Sequence, residues 1–554
     1  MQKTKKTKYS ILISFVIFLS LFSFKILDDG DDFEIAKSFD IFHSVIREIR
    51  LFYVDDADIS KLINESTNEF LAKLDPYTVF YPESKIEDFS FMTTGSYGGV
   101  GAILLDKQQS LLFVNIYKNS PADKAKLKIG DEIIAVNNIQ ITKENLTNIK
   151  QLLKGEPGSS IKITIKRYGQ EQNITKKIIR EKIVINNIPH AELLDNKFAY
   201  VKLSVFKRGA SNDIKKKLLE LKSKGKLQGI ILDLRNNPGG LLNEAVNIVN
   251  LFVKKGSHIL STKGKVSSWN NEYKASQKPI FPDIPLVVLI NSNSASASEI
   301  VSGAIQDLDR GVIIGQRSYG KGLVQTTRKL SYNTRIKITT AKYYIPSGRC
   351  IQALDYTHRN EDGSVGNVPD SLISGFKTLN GRTVYDGGGI NPDIKIPFDT
   401  LSYFTKELEK NNILFDFCTQ YFYNNKSIPD ASNFVITNNI YKQFILYLKE
   451  NNIQINSESY YLSDELLQSA KENNYSTELI NKIKTLKSSL KNNIEEEANT
   501  YKEQIIPILD KEITGRYYYD KGRVISSMDF DKELESAKKI LSNSGKYQSL
   551  LITN

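Results

Sequence analysis

The sequence predicts a multidomain α+β protein, because its pattern changes three times along the chain. Apolar residues recur at helical spacing over residues 34–92. Short alternating strands with glycine turns follow over 95–182, and apolar strands alternate with helices over 183–397. The remaining stretch, 398–554, is polar and helical by pattern. Because 554 residues suffice for several separate cores, we expect a small helical N-terminal region, a β-rich domain, an α/β core and a helical C-terminal domain.

The first 30 residues have the pattern of a targeting segment. Lysines at positions 3, 5, 6 and 8 precede an apolar run from Ile11 to Phe24 that is interrupted only by serines. A charged start followed by a run of this length is typical of a secretory signal or a signal anchor. We therefore predict export to the periplasm or cell envelope. No small-x-small cleavage site is obvious, so retention of the segment as an inner-membrane anchor stays open.

The helical region that follows has one clear internal boundary. Ile41, Val45 and Ile49 recur at the spacing of one helix face. Pro76 then forces a second predicted helix to end before it, because proline lacks the N–H and disfavours a helical residue ahead of it.

Composition argues against several functions. The net charge of +12 is spread over the chain without a basic stripe, so we predict no nucleic-acid binding. Cys350 and Cys418 lie far apart, and the four histidines are isolated, so neither a disulfide framework nor a metal site is expected. We predict no metal and no organic cofactor.

The β-rich segment contains a long ordered pattern from Ser120 to Asn137. A Ser-Pro helix start and small residues lead into G-D-x-I-x-x-V-N and a strand. This pattern resembles the signature of PDZ domains, which bind a peptide as an added strand at a sheet edge. The resemblance implies partners with free C-termini, whose carboxylate would meet backbone N–H groups of a glycine loop. The loop residues here are Gly98, Gly99, Val100 and Gly101.

Arg180 lies just past this pattern. An exposed surface arginine is the simpler interpretation, and coupling to the next domain is the alternative.

Three segments of the α/β core carry the residues that are able to do chemistry. They are Leu232–Gly240 (L-D-L-R-N-N-P-G-G), Asn291–Glu299 (N-S-N-S-A-S-A-S-E) and Ser318–Gln325 (S-Y-G-K-G-L-V-Q). The first two come at predicted strand-to-helix turns, and the third lies between two predicted strands.

Ser296 in the second segment has two interpretations. A serine at a helix N-terminus is presented where the helix dipole and free N–H groups favour a developing oxyanion. Ser296 and Glu299 also have the S-x-x-E spacing of a capping box, which needs no catalytic role. A nucleophilic serine further requires a base.

Lys321 in the third segment is the candidate base. It lies between two glycines, and it would act only when neutral, in surroundings that disfavour the cation. Residues 315–321 also have the G-x-x-x-x-G-K spacing of a phosphate-binding loop. Gly322 then replaces the required Ser or Thr, and the next residues indicate a strand rather than a helix. Nucleotide binding is therefore disfavoured.

The order of these motifs resembles the C-terminal-processing (tail-specific) peptidases over residues 36–395. The resemblance implies a crotonase/Clp-protease-like α/β core that cleaves peptides through an acyl-enzyme. It makes Ser296 the nucleophile, rather than Ser294 or Ser298, and Lys321 the general base. It also implies that Gln325 holds the lysine, and that the oxyanion hole comes from the N–H groups of Gly239 or Gly240 and of Ala297.

We therefore predict a serine endopeptidase with a Ser–Lys dyad that recognises the C-terminal tails of exported proteins. One alternative is a non-catalytic PDZ scaffold with a degenerate core, which intact Ser296, Lys321 and Gln325 disfavour. Another is a small-molecule acyl hydrolase, which the peptide-binding domain disfavours. The C-terminal region contains no motif, and we expect it to pack against the core or to form a homo-oligomer.

Overall fold

The computed structural model describes residues 29–83, 95–107 and 110–552. The chain forms two compact units, residues 1–82 and 83–554. Residues 1–28 of the predicted signal or anchor lie outside the described residues. Within the described ranges, no helix is long and apolar enough to cross a membrane.

Within its described residues, 29–82, the first unit contains two helices and one short strand. They are α1 (Asp29–Phe52), α2 (Ile59–Ala72) and β1 (Val79–Tyr81). The Asp58 carboxylate begins α2 by accepting a hydrogen bond from Lys61 N–H at 2.9 Å. Helix α2 ends before Pro76, as the sequence predicts, and the turn is held by Asp75, whose carboxylate accepts from two following N–H groups.

The second unit begins with the β-rich domain, in which antiparallel pairing gives the strand order β3-β4-β5-β7-β8 with β6 on β5. Strands β2 and β9 pair where the chain enters and leaves the domain. The elements are β2 (Ser96–Gly99), β3 (Ala102–Lys107), β4 (Ser110–Ile116), α3 (Pro121–Lys124), β5 (Glu132–Val136), β6 (Ile139–Gln140), α4 (Leu146–Leu152), β7 (Ser160–Lys166), β8 (Ile174–Ile179) and β9 (Glu181–Val184). Strand β3 therefore lies at an edge of the sheet.

The α/β core follows, with two larger sheets and two hairpins. Its strands are β10 (His190–Leu194), β11 (Phe198–Lys202), β12 (Gly229–Asp233), β13 (His258–Lys263), β14 (Asn271–Lys274), β15 (Leu286–Ile290), β16 (Val312–Gly315), β17 (Leu323–Lys329), β18 (Arg335–Tyr344), β19 (Leu354–Arg359), β20 (Val365–Asn367), β21 (Gly375–Lys377), β22 (Thr383–Tyr385) and β23 (Ile394–Lys395). Its helices are α5 (Ala210–Ser223), α6 (Leu242–Asn250) and α7 (Ala297–Asp307).

The central sheet has the order β10-β11-β12-β15-β16-β23. Strand β10 is antiparallel to β11, and the other neighbouring strands run parallel. Strand β15 is buried along its whole length, as a strand covered on both faces must be. A second, antiparallel arrangement joins β14, β13, β18 and β17 in that order.

The C-terminal region is helical, as predicted. Its helices are α8 (Tyr403–Lys410), α9 (Ile413–Asn424), α10 (Asn438–Glu450), α11 (Glu458–Glu472), α12 (Thr477–Ser489), α13 (Ile494–Thr500), α14 (Lys502–Met528), α15 (Lys532–Leu541) and α16 (Ser544–Ser549). Helices α8, α9, α10, α13 and α14 share one apolar core. Helices α11 and α12 form a hairpin with its own small cluster.

The last two helices belong to the α/β core rather than to this C-terminal core. Helices α5, α6 and α7 cover one face of the central sheet. The other face packs against α15, α16 and the residues after them through Leu534, Ala537, Ile540, Leu541, Tyr547 and Leu551. The core predicted for residues 183–397 is thus completed by a segment more than 130 positions further along the chain.

Candidate active site

The three motif segments meet at one edge of the central sheet. Strands β12, β15 and β16 are neighbours and run parallel, so the loops after their carboxyl ends lie side by side. The segment Leu232–Gly240 spans the end of β12, the serine segment begins directly after β15, and the lysine segment follows β16. The topology therefore brings together segments whose outermost residues are 93 positions apart.

Ser296 is the half-buried serine of its motif, and it begins helix α7. Its backbone angles are φ 54° and ψ −111°, in a region that residues other than glycine rarely adopt. The flanking serines are completely buried and donate to backbone carbonyls, Ser294 to Leu234 O and Ser298 to Asn237 O, both at 2.9 Å. Ser294 and Ser298 therefore hold the loop, and Ser296 is the one presented at the helix N-terminus.

The glycine turn after β12 packs directly against Ser296. A Cβ added to Gly239, which has φ +100°, would lie 2.9 Å from Ser296 Cβ and 2.7 Å from Ala295 O. Only glycine fits here without displacing backbone. The turn is also tied to the serine loop by the hydrogen bond from Ala295 N–H to Asn237 O at 3.1 Å.

The N–H groups predicted for the oxyanion hole differ in their partners. Gly239 N–H donates to Asn237 Oδ1 at 2.9 Å. Within the described residues, the N–H groups of Gly240 and Ala297 have no hydrogen-bond acceptor. Of the predicted oxyanion donors, Gly239 N–H is therefore already bonded, and those of Gly240 and of Ala297 in the first turn of α7 stay candidates.

Two buried side chains tie Ser296 to Lys321. The completely buried Glu299 accepts hydrogen bonds at one oxygen from Ser296 N–H, at 2.8 Å, and from Lys321 N–H, at 2.9 Å. The Tyr343 hydroxyl lies 2.8 Å from Lys321 O and 3.2 Å from Ser296 O. The backbones of the predicted nucleophile and base thus share a partner through their N–H groups and another through their carbonyls.

Glu299 does more than the capping role that its spacing predicts. Its other oxygen accepts from Gly320 N–H and Ser318 Oγ, both at 2.6 Å. Burial raises the pKa of the carboxyl, against the four hydrogen bonds, which lower it. The S-x-x-E spacing was the only sequence signal for this residue, and Tyr343 had none.

The structure places Lys321 and Gln325 on either side of the start of β17. Lys321 is half-buried just before the strand, and Gln325 Nε2 donates to Thr339 Oγ1 on β18 at 3.2 Å. The sequence predicts a strand after Gly322, and β17 is that strand. The segment therefore lacks the helix N-terminus that a phosphate-binding loop requires.

A cavity lies beside the residues predicted to bind the peptide, between β3 and the end of α4. Its volume is about 180 Å³, and it is lined by Tyr97, Val100, Ala102, Leu104, Lys150, Leu153 and Lys154. Of the four predicted loop residues, Gly98 and Gly99 belong to β2, which pairs with β9, and Val100 lines the cavity. Val100 N–H donates to Leu153 O at 3.2 Å, so this group is already bonded.

The prediction that Arg180 is an exposed surface residue is wrong. Arg180 is 8% exposed, and its guanidinium donates to Leu152 O at the end of α4, at 2.5 Å, and to Ser159 Oγ at 2.9 Å. A helix ends in unpaired carbonyls, and a buried arginine satisfies them here.

Replacing Glu299 by glutamine is expected to lower kcat about 100-fold, because a small displacement of Ser296 from Lys321 is enough for a loss of that size. The new amide NH2 would face N–H donors, so the free energy of unfolding should also fall by about 2 kcal/mol. Steady-state kinetics and thermal unfolding measure both effects. The exposed Glu361→Gln is the matched control, and equal kinetics for both variants would contradict the expectation.

Comparison with known proteins gives matches along most of the second unit. Residues 112–167 match the PDZ domain, residues 197–358 match peptidase family S41, and residues 404–541 match the C-terminal helical domain of probable PDZ-proteases. A carboxy-terminal-processing protease of Bartonella bacilliformis is 35% identical over 319 residues, which are 57% of this chain and 73% of that protein. The carboxy-terminal processing protease CtpA of Bacillus subtilis is 31% identical over 316 residues, 57% of this chain and 67% of that protein.

Among solved structures, the photosystem II D1 C-terminal processing protease matches with 26% identity and a TM-score of 0.36, over 65% of this chain and 87% of that one. The predicted order of a helical N-terminal region, a PDZ domain, an α/β peptidase core and a helical C-terminal domain is confirmed. The chain belongs to the carboxy-terminal-processing proteases of peptidase family S41, and it is a serine protease with a PDZ domain.

Proposed function

We propose that this serine protease cuts exported proteins near their C-termini with a Ser296–Lys321 dyad after its PDZ domain has bound the tail. The observation that carries the proposal is the pair of shared partners, Glu299 and Tyr343, which hold both residues from two sides. Gly239 packs against Ser296 on a third side. Such fixed backbone geometry is what an acyl-transfer site needs.

Acylation begins when Ser296 Oγ attacks the scissile carbonyl carbon while neutral Lys321 Nζ takes its proton. The carbonyl electron pair moves onto oxygen, and the Gly240 and Ala297 N–H groups receive this oxyanion. The C–N bond then breaks, and the amine leaves with the proton from Lys321. Water attacks the ester with the same lysine as base, which returns the carboxylic acid product and free Ser296. Gln325, held by Thr339, orients the lysine.

The PDZ domain supplies the tail specificity. The open edge of β3 accepts an extended peptide as a further strand, and the cavity beside it accepts an apolar side chain. Two lysines line the cavity, Lys150, which is paired with Asp106 at 2.5 Å, and Lys154, so their net charge with Asp106 is positive and favours a terminal carboxylate. The lysine-rich N-terminus and its apolar run support export to the cell envelope, with that segment as signal or membrane anchor.

Cleavage of an unfolded model protein tests this function. Two substrates differ only at the C-terminus, one ending in apolar residues and the other in the same residues followed by two aspartates. Docking of the tail raises the local concentration of the chain, so kcat/KM should be about 10-fold higher for the apolar end.

Equal rates for the two ends would overturn tail recognition. No cleavage of either substrate would favour the non-catalytic scaffold. Hydrolysis of small esters or thioesters without any cleavage of protein would favour the small-molecule hydrolase.

A further inference from the structure

The C-terminal helices reach the catalytic loop through Arg235. This residue follows β12 and begins the turn that ends at Gly240. Its guanidinium donates to Asp531 in a two-point contact, at 2.7 Å and 2.5 Å, and lies 3.4 Å from Glu533. Planar two-point pairing of this kind fixes direction as well as distance. Asp531 lies directly before α15, so the contact joins residues almost 300 positions apart.

The same guanidinium is bonded to the strand that it leaves. Arg235 Nε and Nη2 lie 3.0 Å and 2.8 Å from the two oxygens of Asp233, which also accepts from Tyr200 OH at 2.7 Å and from Lys202 Nζ at 3.0 Å. Asp233 is completely buried, and the side chain of Arg235 is 13% exposed. Burial opposes ionisation, yet Arg235 and Lys202 hold the pKa of Asp233 well below its ordinary value.

The positive charges of this cluster exceed its negative charge unless Asp531 and Glu533 are counted. Asp233 alone faces two cations, Lys202 and Arg235. Asp531 and Glu533 supply the further negative charge, and both side chains are at most 16% exposed. Without these two carboxylates, the buried guanidinium of Arg235 would lose hydrogen-bond acceptors. This loss is unfavourable in free energy, so the guanidinium would turn toward other acceptors.

The position of Arg235 is transmitted along a stiff turn. Asn236 has a left-handed φ of 60°, and its N–H donates to Asn291 Oδ1 at 2.9 Å. Asn237 then bonds Gly239 N–H. Because these hydrogen bonds fix the residues between Arg235 and Gly240, a shift at Arg235 displaces the Gly240 N–H.

We propose that Asp531, together with Glu533, is a positioning residue for the active site, so that the C-terminal helical region takes part in catalysis by holding the oxyanion turn through Arg235. This inference rests on the proposed function. It deepens that function by adding residues outside the matched peptidase segment, 197–358.

Asp531 also begins α15, because its carboxylate accepts from Leu534 N–H at 2.8 Å. Asparagine and serine begin helices about as well as aspartate does. Asp531→Asn and Asp531→Ser therefore keep the helix start while removing the charge and the two-point contact. Glu535→Gln, on the exposed side of the same helix, is the matched control.

The three variants and the wild-type full chain are compared on the apolar-tailed substrate. We expect kcat to fall about 10-fold or more for both Asp531 variants, with KM within about threefold of wild type and a thermal unfolding midpoint that falls but stays well above the assay temperature. The control should match wild type in all three quantities.

Wild-type kcat retained by both Asp531 variants would overturn the inference. So would a fall in activity that merely follows a large fall in the unfolding midpoint, or a change in KM alone, because these indicate a purely structural or substrate-binding role. Failure of the wild-type chain to cut the substrate would instead count against the proposed function.

Discussion

Replacing Ser296 by alanine is expected to lower kcat on an unfolded protein substrate about 10⁴-fold or more, because no other residue would then form the acyl-enzyme. Lys321→Arg should be as damaging. Arginine keeps the positive charge but stays protonated, so it is unable to take the serine proton. Initial rates with substrate in excess measure both effects.

Folding controls separate this loss from a structural one. Ser296 is half-buried and begins α7, where loss of the serine hydroxyl costs about 1 kcal/mol, so alanine should lower the unfolding midpoint by only a few degrees. The exposed Ser292→Ala is the matched serine variant and should cut at the wild-type rate. Activity retained by Ser296→Ala would show that another residue is the nucleophile. Activity retained by Lys321→Arg would show that the lysine contributes only its charge.

Deleting residues 532–554 is expected to unfold the peptidase core, although the deletion lies far from every catalytic motif. The segment buries six apolar side chains against the central sheet. At about 1.5–3 kcal/mol for each large side chain, their loss approaches the whole stability of a typical domain, about 5–15 kcal/mol. Tyr547 would also leave Leu286 N–H, now bonded at 2.9 Å, without its partner. Circular dichroism and thermal unfolding test this.

The α11–α12 hairpin offers a larger deletion as the control, 32 residues against 23. Its ends are already adjacent, because Asn492 N–H donates to Asn456 Oδ1 at 3.3 Å, so residues 458–489 are replaceable by a short Gly-Ser link. The hairpin has a separate small cluster, so its removal should leave the core folded and active. An unchanged unfolding midpoint after deletion of 532–554 would contradict the proposed packing role.

Local patterns were sufficient for the fold of each part. The Pro76 helix stop, the PDZ sheet and the buried parallel strands follow from residues close together in sequence. The α15–α16 segment could not be placed in this way. Its apolar residues suit any amphipathic helix, and nothing local shows that they face Phe198 and Val287 rather than the C-terminal core. Arg180 was misjudged for the same reason, since its partners are at the end of α4.

The sequence by itself determined the order of domains, the family, and the identity of the candidate nucleophile and base, because these depend on short motifs with characteristic residues. Only the tertiary structure decided which groups hold them. Glu299 and Tyr343 bind Ser296 and Lys321 through backbone atoms, which any residue type carries and no motif records. Asp531 meets Arg235 across almost 300 positions. Such contacts depend on how the helices and strands pack. Packing brings together residues that are far apart in sequence, and no local pattern shows that they are neighbours.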